Sequence, residues 1–542
     1  MKCLAWFLLG FGIRLIGLGT LPPWTDECAT LAFSLGNSFL EVPLNQLIAP
    51  QQLLEPLQPT PEAGLGEVWQ HLMSESTHPP LYFFLTHLWL QPLLEASPER
   101  LLWASRVLSA FWGALTIPAM YGLGKRAIGS VTVAHLAAAL MALSPLGIFL
   151  AQEARHYTLA MLLAIASYYS FTLAREALFT PNSPAQRWLW GWTSLWILVN
   201  GLGIAVHYFF GLVPLMQGLV LGNHWLQGQV PRTARPWRGV AVAALGTAAM
   251  GLVWLPVWGG FVDSDLTDWV TDGQLGVLES LGRTLLWLIS MVLMAPLDVF
   301  VLPIWGIVLA AGVLLSALVG LGYLLYCHGR KTRPQVRIWW EVFLVGLLVL
   351  LGLTYSTGHD LTLAPRFFFP VLPVVLLLIA AMLESAWQQQ RRQVLSLGFM
   401  ALLGGLSVVT NLSYLQNHRG DRLAEMIHHT SEVPVILATT HKHHGQTGRL
   451  QAIAWELRRL NASLPQQFLL AHPDEQHYPT DVLSEELASL SPPFDVWYVN
   501  FHAPYVDDDV LETQGSLVQA IPVPREQFPT VNGYRYDLVR YR

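Results

Sequence analysis

The sequence predicts a mainly α-helical, polytopic membrane protein of about 11 to 13 transmembrane helices with a small C-terminal α/β domain, and three observations predict it. The 542-residue chain is 53% apolar and only 12% charged, against roughly 45–50% and about 25% in an ordinary soluble domain. The charge is uneven: residues 412–542 hold 26 of the 66 acidic and basic side chains, leaving 40 for the first 411 residues. Stretches of about 20 mainly apolar residues, the length a bilayer crossing needs, recur along those 411 residues. A plain cytosolic enzyme, a disordered chain and a fibrous repeat are excluded, and a net charge of -6 gives nucleic-acid phosphates no general attraction. Cys3, Cys28 and Cys327 form no CxxC pair, which supports neither a disulfide framework nor a zinc site.

The clearest spans lie near 3–20, 101–122, 129–150, 156–176, 187–204, 205–224, 238–258, 299–327, 337–356, 366–386 and 393–411. Segments 79–97 and 275–296 are apolar but ambiguous. The first span is followed by WTDECATL with no small-x-small cleavage site, and so reads as an uncleaved anchor. Basic residues cluster at Lys125 and Arg126, at Arg175 and Arg187, at Arg232, Arg235 and Arg238, at Arg330, Lys331, Arg333 and Arg337, and at Arg391 and Arg392. With the ambiguous segments on the surface, eleven spans place all five clusters on the side of the N-terminus, as the positive-inside rule requires; thirteen spans would move three of them outside. Eleven is preferred, and either odd number makes the N-terminus cytoplasmic and the tail periplasmic or lumenal. The outer segments are then the large loop 21–100, the QEARHY turn, the acidic loop Asp263, Asp265, Asp268, Asp272, the STGHDLTLAPR turn, and the tail. The expected division is a membrane body over 1–411 and a soluble domain over 412–542.

The tail opens with a helix near Leu423–His429, then the strand VPVILATT, the amphipathic LQAIAWELRRL, the strands FLLA and FDVWYVNF, and a final GYRYDLVRYR. Strands alternating with helical patterns predict a small α/β domain, and it carries no glycine-rich phosphate loop.

The candidate chemistry lies on the outer segments. Asp26 and Glu27 are adjacent carboxylates immediately after a span, where partial desolvation suits a carboxylate to general-base work; the plain alternative is an ordinary polar loop. In THPPLY, Pro79 and Pro80 fix a rigid helix start beside His78 and Tyr82, and a histidine held there can donate to an anionic head group or serve as a cap. Gln152, Glu153, Arg155, His156 and Tyr157 put several polar groups at a membrane surface, which is costly unless they are paired or functional; a Glu153–Arg155 pair closing the turn is the structural alternative. Arg366 sits at the outer lip of a span, where arginine either forks a phosphate or snorkels, and Arg14 within the first span has the same two readings. The tract His441, Lys442, His443, His444 lacks a carboxylate or cysteine at ligand spacing and reads as a solvated loop, and the Asn461-Ala462-Ser463 triplet is of a kind common by chance.

The order RLIGLGTLPPWTDE, THPPLYFFLTHLWL, RLLWASRVLSAFWGALTIPAMYGLGKRAIG, SPLGIFLAQEARHYTLAMLLAIASYY and APRFFFPVLPVVLLLIA closely resembles bacterial family 39 glycosyltransferases, the protein O-mannosyltransferase and aminoarabinose-transferase relatives of the GT-C superfamily. The resemblance covers about residues 10–175 and recurs near 364–380; the middle spans and tail match only in layout. It implies a GT-C fold with a large first outer loop and an inner-membrane enzyme. Such an enzyme moves a sugar from a polyprenyl-phosphate carrier to a lipid, protein or glycan acceptor on the outer face, inverting the anomeric carbon in one displacement. By motif match, Asp26 would take the acceptor proton, with Glu27 as neighbour or substitute, and Glu153 or Arg155 would be the second-loop contributor, where some relatives carry an aspartate. His78, Arg155 and Arg366 would hold the carrier phosphate, with Tyr82 and Tyr157 among the carrier or sugar contacts. The scheme requires no metal or other cofactor; a divalent ion at Asp263, Asp265 and Asp268, by analogy with oligosaccharide transferases, is the less favoured variant. A ligase or polymerase of lipid-linked glycans would release a pyrophosphate carrier instead. A transporter would keep its polar groups near the midplane on interrupted helices, unlike the outer-lip pattern seen here.

Overall fold

The computed structural model describes residues 2–180, 182–231, 233–255, 276–299, 301–329, 332–473, 478–502, 510–513 and 516–542. The acidic loop 263–272, Arg232, Arg330, Lys331 and the run Asp507–Asp509 lie outside these residues. The chain forms two compact units. The first comprises Met1–Leu18, Thr77–Tyr82 and Arg106–Leu415; the second comprises Gly19–Ser76, Phe83–Ser105 and Gln416–Arg542. They do not coincide with a division at residue 411, because most of the first outer loop clusters with the tail.

The first unit is a helical bundle. Among the described residues seven helices are long and apolar enough to cross a membrane: Pro98–Ile128, Tyr157–Phe179, Pro184–Val206, Ile304–His328, Val336–Thr357, Leu372–Gln389 and Arg391–Val409. The helix Ile304–His328 has a mean hydropathy of 2.4 with only 6% of that window buried, and Ile304 and Trp305 are 80% and 74% exposed. Such a surface is suited to lipid and not to water, so the chain is a membrane protein. Of the other expected spans, Lys2–Leu15 and Leu212–Leu226 are shorter helices of 14 and 15 residues, and Ala234–Leu252 is a helix of 19 residues. The two ambiguous segments form helices of 10 and 14 residues, Leu81–Leu90 and Val277–Ser290, below the roughly 20 residues of a perpendicular crossing.

The span expected at 129–150 is broken into Val131–Leu143 and Pro145–Phe149. Pro145 has no N–H to give the preceding turn, and Ser144 recaps the chain by accepting from the Gly147 N–H at 3.1 Å. The carbonyls thus freed are met by Arg14. Its guanidinium is fully buried and donates to Met141 O at 2.9 Å, Ala142 O at 3.1 Å and Gly10 O at 2.9 Å. Arg14 therefore neither forks a phosphate nor snorkels; it satisfies backbone oxygens that hydrocarbon cannot.

The basic turns gather at one end of the bundle. Arg126 pairs with Glu176, Ser130 and Arg333 both meet Glu384, and His224 and Arg337 share Glu341. By helix direction, the turns near 78, 150–157, 207 and 358–371 lie at the opposite end.

The second unit holds a seven-stranded sheet. Its strands are β1 (Leu47–Ile48), β2 (Val435–Thr440), β3 (Gln466–Ala471), β4 (Phe494–Val499), β5 (Val510–Thr513), β6 (Ser516–Val523) and β7 (Tyr536–Tyr541), in the order β1-β3-β2-β4-β7-β6-β5. Strands β3, β2 and β4 are parallel and fully buried along most of their length, which suits their continuous apolar runs. The remaining pairs are antiparallel, and β1 joins from the first loop with Leu47 opposite Leu469. The helices Thr25–Ser34, Gly420–Thr430 and His444–Arg459 share one core in which Cys28, Leu31 and Phe33 meet Leu423, Leu450, Ile453 and Trp497. The sequence predicts β2, β3 and β4 and two of the tail helices; the final GYRYDLVRYR forms β7, and the helix Pro479–Ala488 and the β5–β6 hairpin are additions.

Candidate functional site

Four turns at one end of the first unit bring five of the sequence-predicted residues together. Thr77–Tyr82 supplies His78 and Tyr82, the turn before the helix Tyr157–Phe179 supplies Arg155 and Tyr157, and the short 3-10 turn Pro365–Phe368 supplies Arg366. The fourth turn, between the helices ending at Val206 and beginning at Leu212, supplies His207.

Arg155 is 1% exposed, and its Nη2 donates to His78 Nε2 at 2.9 Å. A guanidinium has no acceptor, so His78 accepts at Nε2 and carries its proton on Nδ1. Arg155 also lies over the Tyr157 ring at 5.8 Å, and its carbonyl accepts from Ser109 Oγ at 3.1 Å. Ser109 in turn shares a 2.8 Å hydrogen bond with the buried Tyr82 hydroxyl. The Arg155 N–H donates to Glu153 O at 2.7 Å, closing the turn, and Glu153 is buried. Arg366 is half-buried, with its guanidinium 5.9 Å from the Phe367 ring.

His156 is fully buried, and its ring lies 4.6 Å from Tyr157 and from His207, 5.3 Å from His78 and 5.9 Å from Tyr82. Neither ring nitrogen has a hydrogen-bond partner among the described residues. Burial, reinforced by His207, Arg155, His78 and Arg366, holds it well below the usual histidine range. His207 is pushed down to about 3 by burial and then by Arg155 and Arg366. Its Nδ1 accepts from the Phe209 N–H at 3.1 Å, which places its proton on Nε2. The site therefore combines two permanent cations with neutral histidines that donate in fixed directions, an arrangement suited to an anionic ligand.

His207 is missing from the sequence-derived set because consecutive spans at 187–204 and 205–224 leave no turn for it. The helix in fact stops at Val206 and resumes at Leu212. The available signal was a histidine within an aromatic run, IAVHYFFG.

Asp26 and Glu27 belong to the second unit, in the first turn of the helix Thr25–Ser34. Glu27 is 1% exposed, and its Oε2 accepts from the Trp24 N–H at 3.3 Å, so its carboxylate caps the helix. Asp26 is half-buried and lies within electrostatic reach of Arg449. Thr25 Oγ1 is 3.0 Å from His418 Nδ1, which anchors the helix start to the tail.

The tract at 441–444 is not a solvated loop. His441 is 8% exposed, with Nδ1 3.2 Å from His472 Nδ1 and Nε2 3.2 Å from Thr447 Oγ1. Burial, then His472, His443 and His444, push it down to about 3. Among the described residues no group of three or more His, Cys, Asp or Glu is arranged to hold a metal ion, and the candidate acidic loop at Asp263, Asp265 and Asp268 lies outside those residues.

No family model matches the chain, and no curated protein matches it. Among solved structures, apo ArnT from Cupriavidus metallidurans is similar at 13% identity over 99% of this chain and 97% of that chain, with a TM-score of 0.50. The same protein bound to undecaprenyl phosphate covers 99% and 96% at 13% identity with a TM-score of 0.48. The Archaeoglobus fulgidus oligosaccharyltransferase in complex with Zn and sulfate covers 84% and 61% at 13% identity with a TM-score of 0.45. At such identity the likeness is one of fold, and it extends along nearly the whole of both this chain and ArnT. The chain shares the fold of ArnT, an aminoarabinose transferase of the GT-C superfamily, in keeping with the order of its sequence motifs.

Proposed function

We propose that the protein is an inner-membrane glycosyltransferase that moves a sugar from a polyprenyl-phosphate carrier to an acceptor on the periplasmic side, with its N-terminus cytoplasmic. The observation that carries this reading is the convergence of Arg155, Arg366, His78 and His207 from four turns at one end of the bundle. A lipid phosphate needs a cationic, donor-rich seat at a membrane lip, and two arginines beside fixed histidine donors supply one.

In the proposed step the acceptor oxygen attacks the anomeric carbon while the bond from that carbon to the phosphate oxygen breaks. The phosphate leaves with the electron pair, and the acceptor proton passes to Asp26. Arg155, Arg366 and His78 neutralise the charge growing on the leaving phosphate, and Tyr82 and Tyr157 wall the carrier or sugar. Glu153 or Arg155 is the second-loop contributor, and the burial of Arg155 against His78 favours the arginine. Of the two adjacent carboxylates Asp26 is preferred, since Glu27 is spent on the helix start.

The test has two parts. Mass spectrometry of membrane lipids and exported proteins, with and without the gene, is expected to show a mass difference of one sugar. Asp26→Asn is expected to abolish that product while purified protein still binds undecaprenyl phosphate. Near-wild-type product from the Asp26→Asn protein would remove Asp26 from the role.

A further inference from the structure

The helix carrying Asp26 crosses the tail helix His444–Arg459 at very short range. A Cβ added at Gly448 would lie 3.1 Å from Thr25 O and 3.3 Å from Thr25 Cα, tighter than ordinary contact. The Cys28 thiol donates to Gly448 O at 3.6 Å, so the crossing is pinned one helical turn further along as well. The residue after each contact point is a charged one: Asp26 follows Thr25, and Arg449 follows Gly448. Arg449 is held on the tail side, where its carbonyl accepts from the Tyr534 hydroxyl at 3.1 Å and its Nη1 reaches Gly533 O at a long 3.4 Å.

We propose that Arg449, on the tail helix, is a positioning residue that aims the Asp26 carboxylate at the acceptor hydroxyl. The proposal rests on the reading of Asp26 as the general base. The physical argument has two parts. A free aspartate samples several rotamers, whereas a guanidinium on a fixed helix draws the carboxylate to one side. A base misplaced by about an ångström costs on the order of 100-fold in rate. The same proximity acts on the arginine: burial pushes the Arg449 guanidinium down, while Tyr534 and Asp26 push it back up. Gly448 is what permits the approach, since any side chain there would meet the Thr25 backbone. The tail would then take part in chemistry through the first loop.

The experiment uses the full-length protein in a gene-deleted strain, reading the rate at which the one-sugar product reappears, and purified protein for the dissociation constant of undecaprenyl phosphate. Arg449→Gln is expected to slow product formation about 10- to 100-fold, with carrier affinity and thermal midpoint unchanged. Arg449→Lys, which keeps the charge, is expected to recover most of the rate. Gly448→Ala, which keeps the arginine but displaces its helix, is expected to slow product formation at unchanged carrier affinity. A wild-type rate in Arg449→Gln, alongside a dead Asp26→Asn, overturns the positioning role alone. Equal losses in Arg449→Gln and Arg449→Lys also overturn it, because the charge would then be irrelevant. An active Asp26→Asn overturns the underlying base assignment.

Discussion

Arg155 serves the site through the shape of its side chain as much as through its charge. One planar guanidinium donates to His78 at 2.9 Å and lies over Tyr157. An ammonium of the same charge can do neither in the same plane. Arg155→Lys is therefore expected to weaken undecaprenyl phosphate binding about 10- to 100-fold, the equivalent of one or two charge-assisted hydrogen bonds, and Arg155→Ala by at least as much. Titration of purified protein checks this, and a lysine variant that binds like wild type would reduce Arg155 to a plain point charge. At this scale the sequence was informative about residue type and silent about division of labour. Asp26 and Glu27 look equivalent in WTDE, yet one carboxylate is tied to the Trp24 N–H and the other is half-buried. His441 looked solvated because an HKHH run is polar, but the fold buries its first member against His472.

Hydropathy locates the helices because lipid demands apolar length, but it does not show where a span stops and restarts. Two breaks matter: at Ser144–Pro145, and between Val206 and Leu212, where His207 enters the site. The first leaves carbonyl oxygens without helical donors, and Arg14 crosses from another helix to meet them. Arg14→Leu removes those donors and leaves Met141 O and Ala142 O in an apolar interior. The expected cost is at least about 2 kcal/mol, since one unsatisfied buried polar group costs roughly 1–3 kcal/mol. Arg14→Lys, which can still donate but lacks the fork, should fall between. Thermal unfolding in detergent measures both. No loss of stability in Arg14→Leu would mean that water reaches those carbonyls.

Composition marks a change near residue 411, where charge density doubles, and the alternating strand and helix patterns beyond it predict the α/β character of the tail. Neither shows which other segments the core of the tail recruits, since the first loop carries no pattern naming its partner. The recruitment is extensive: β1 pairs with β3, Asn45 exchanges hydrogen bonds with Leu470 and His472, and Cys28, Leu31, Phe33, Ile48 and Leu53 are buried in the same core as Leu450, Ile453 and Trp497. The tail is therefore half of a unit whose other half is the loop bearing Asp26. A chain ending at Leu415 would uncover those loop side chains, and at roughly 1.5–3 kcal/mol each, four or five of them amount to about 6–15 kcal/mol. That is comparable with the whole net stability of a typical domain, about 5–15 kcal/mol. The truncated protein is expected to insert its helical bundle, to be cut by protease within residues 19–76, and to make no product. Co-expressing residues 416–542 as a separate chain should restore protection of the loop, because the missing core faces and the partner of β1 are all supplied. A loop that stays resistant in the truncated chain would show that it folds without the tail. The tail's influence on Asp26 would then have to be sought elsewhere than in the shared core.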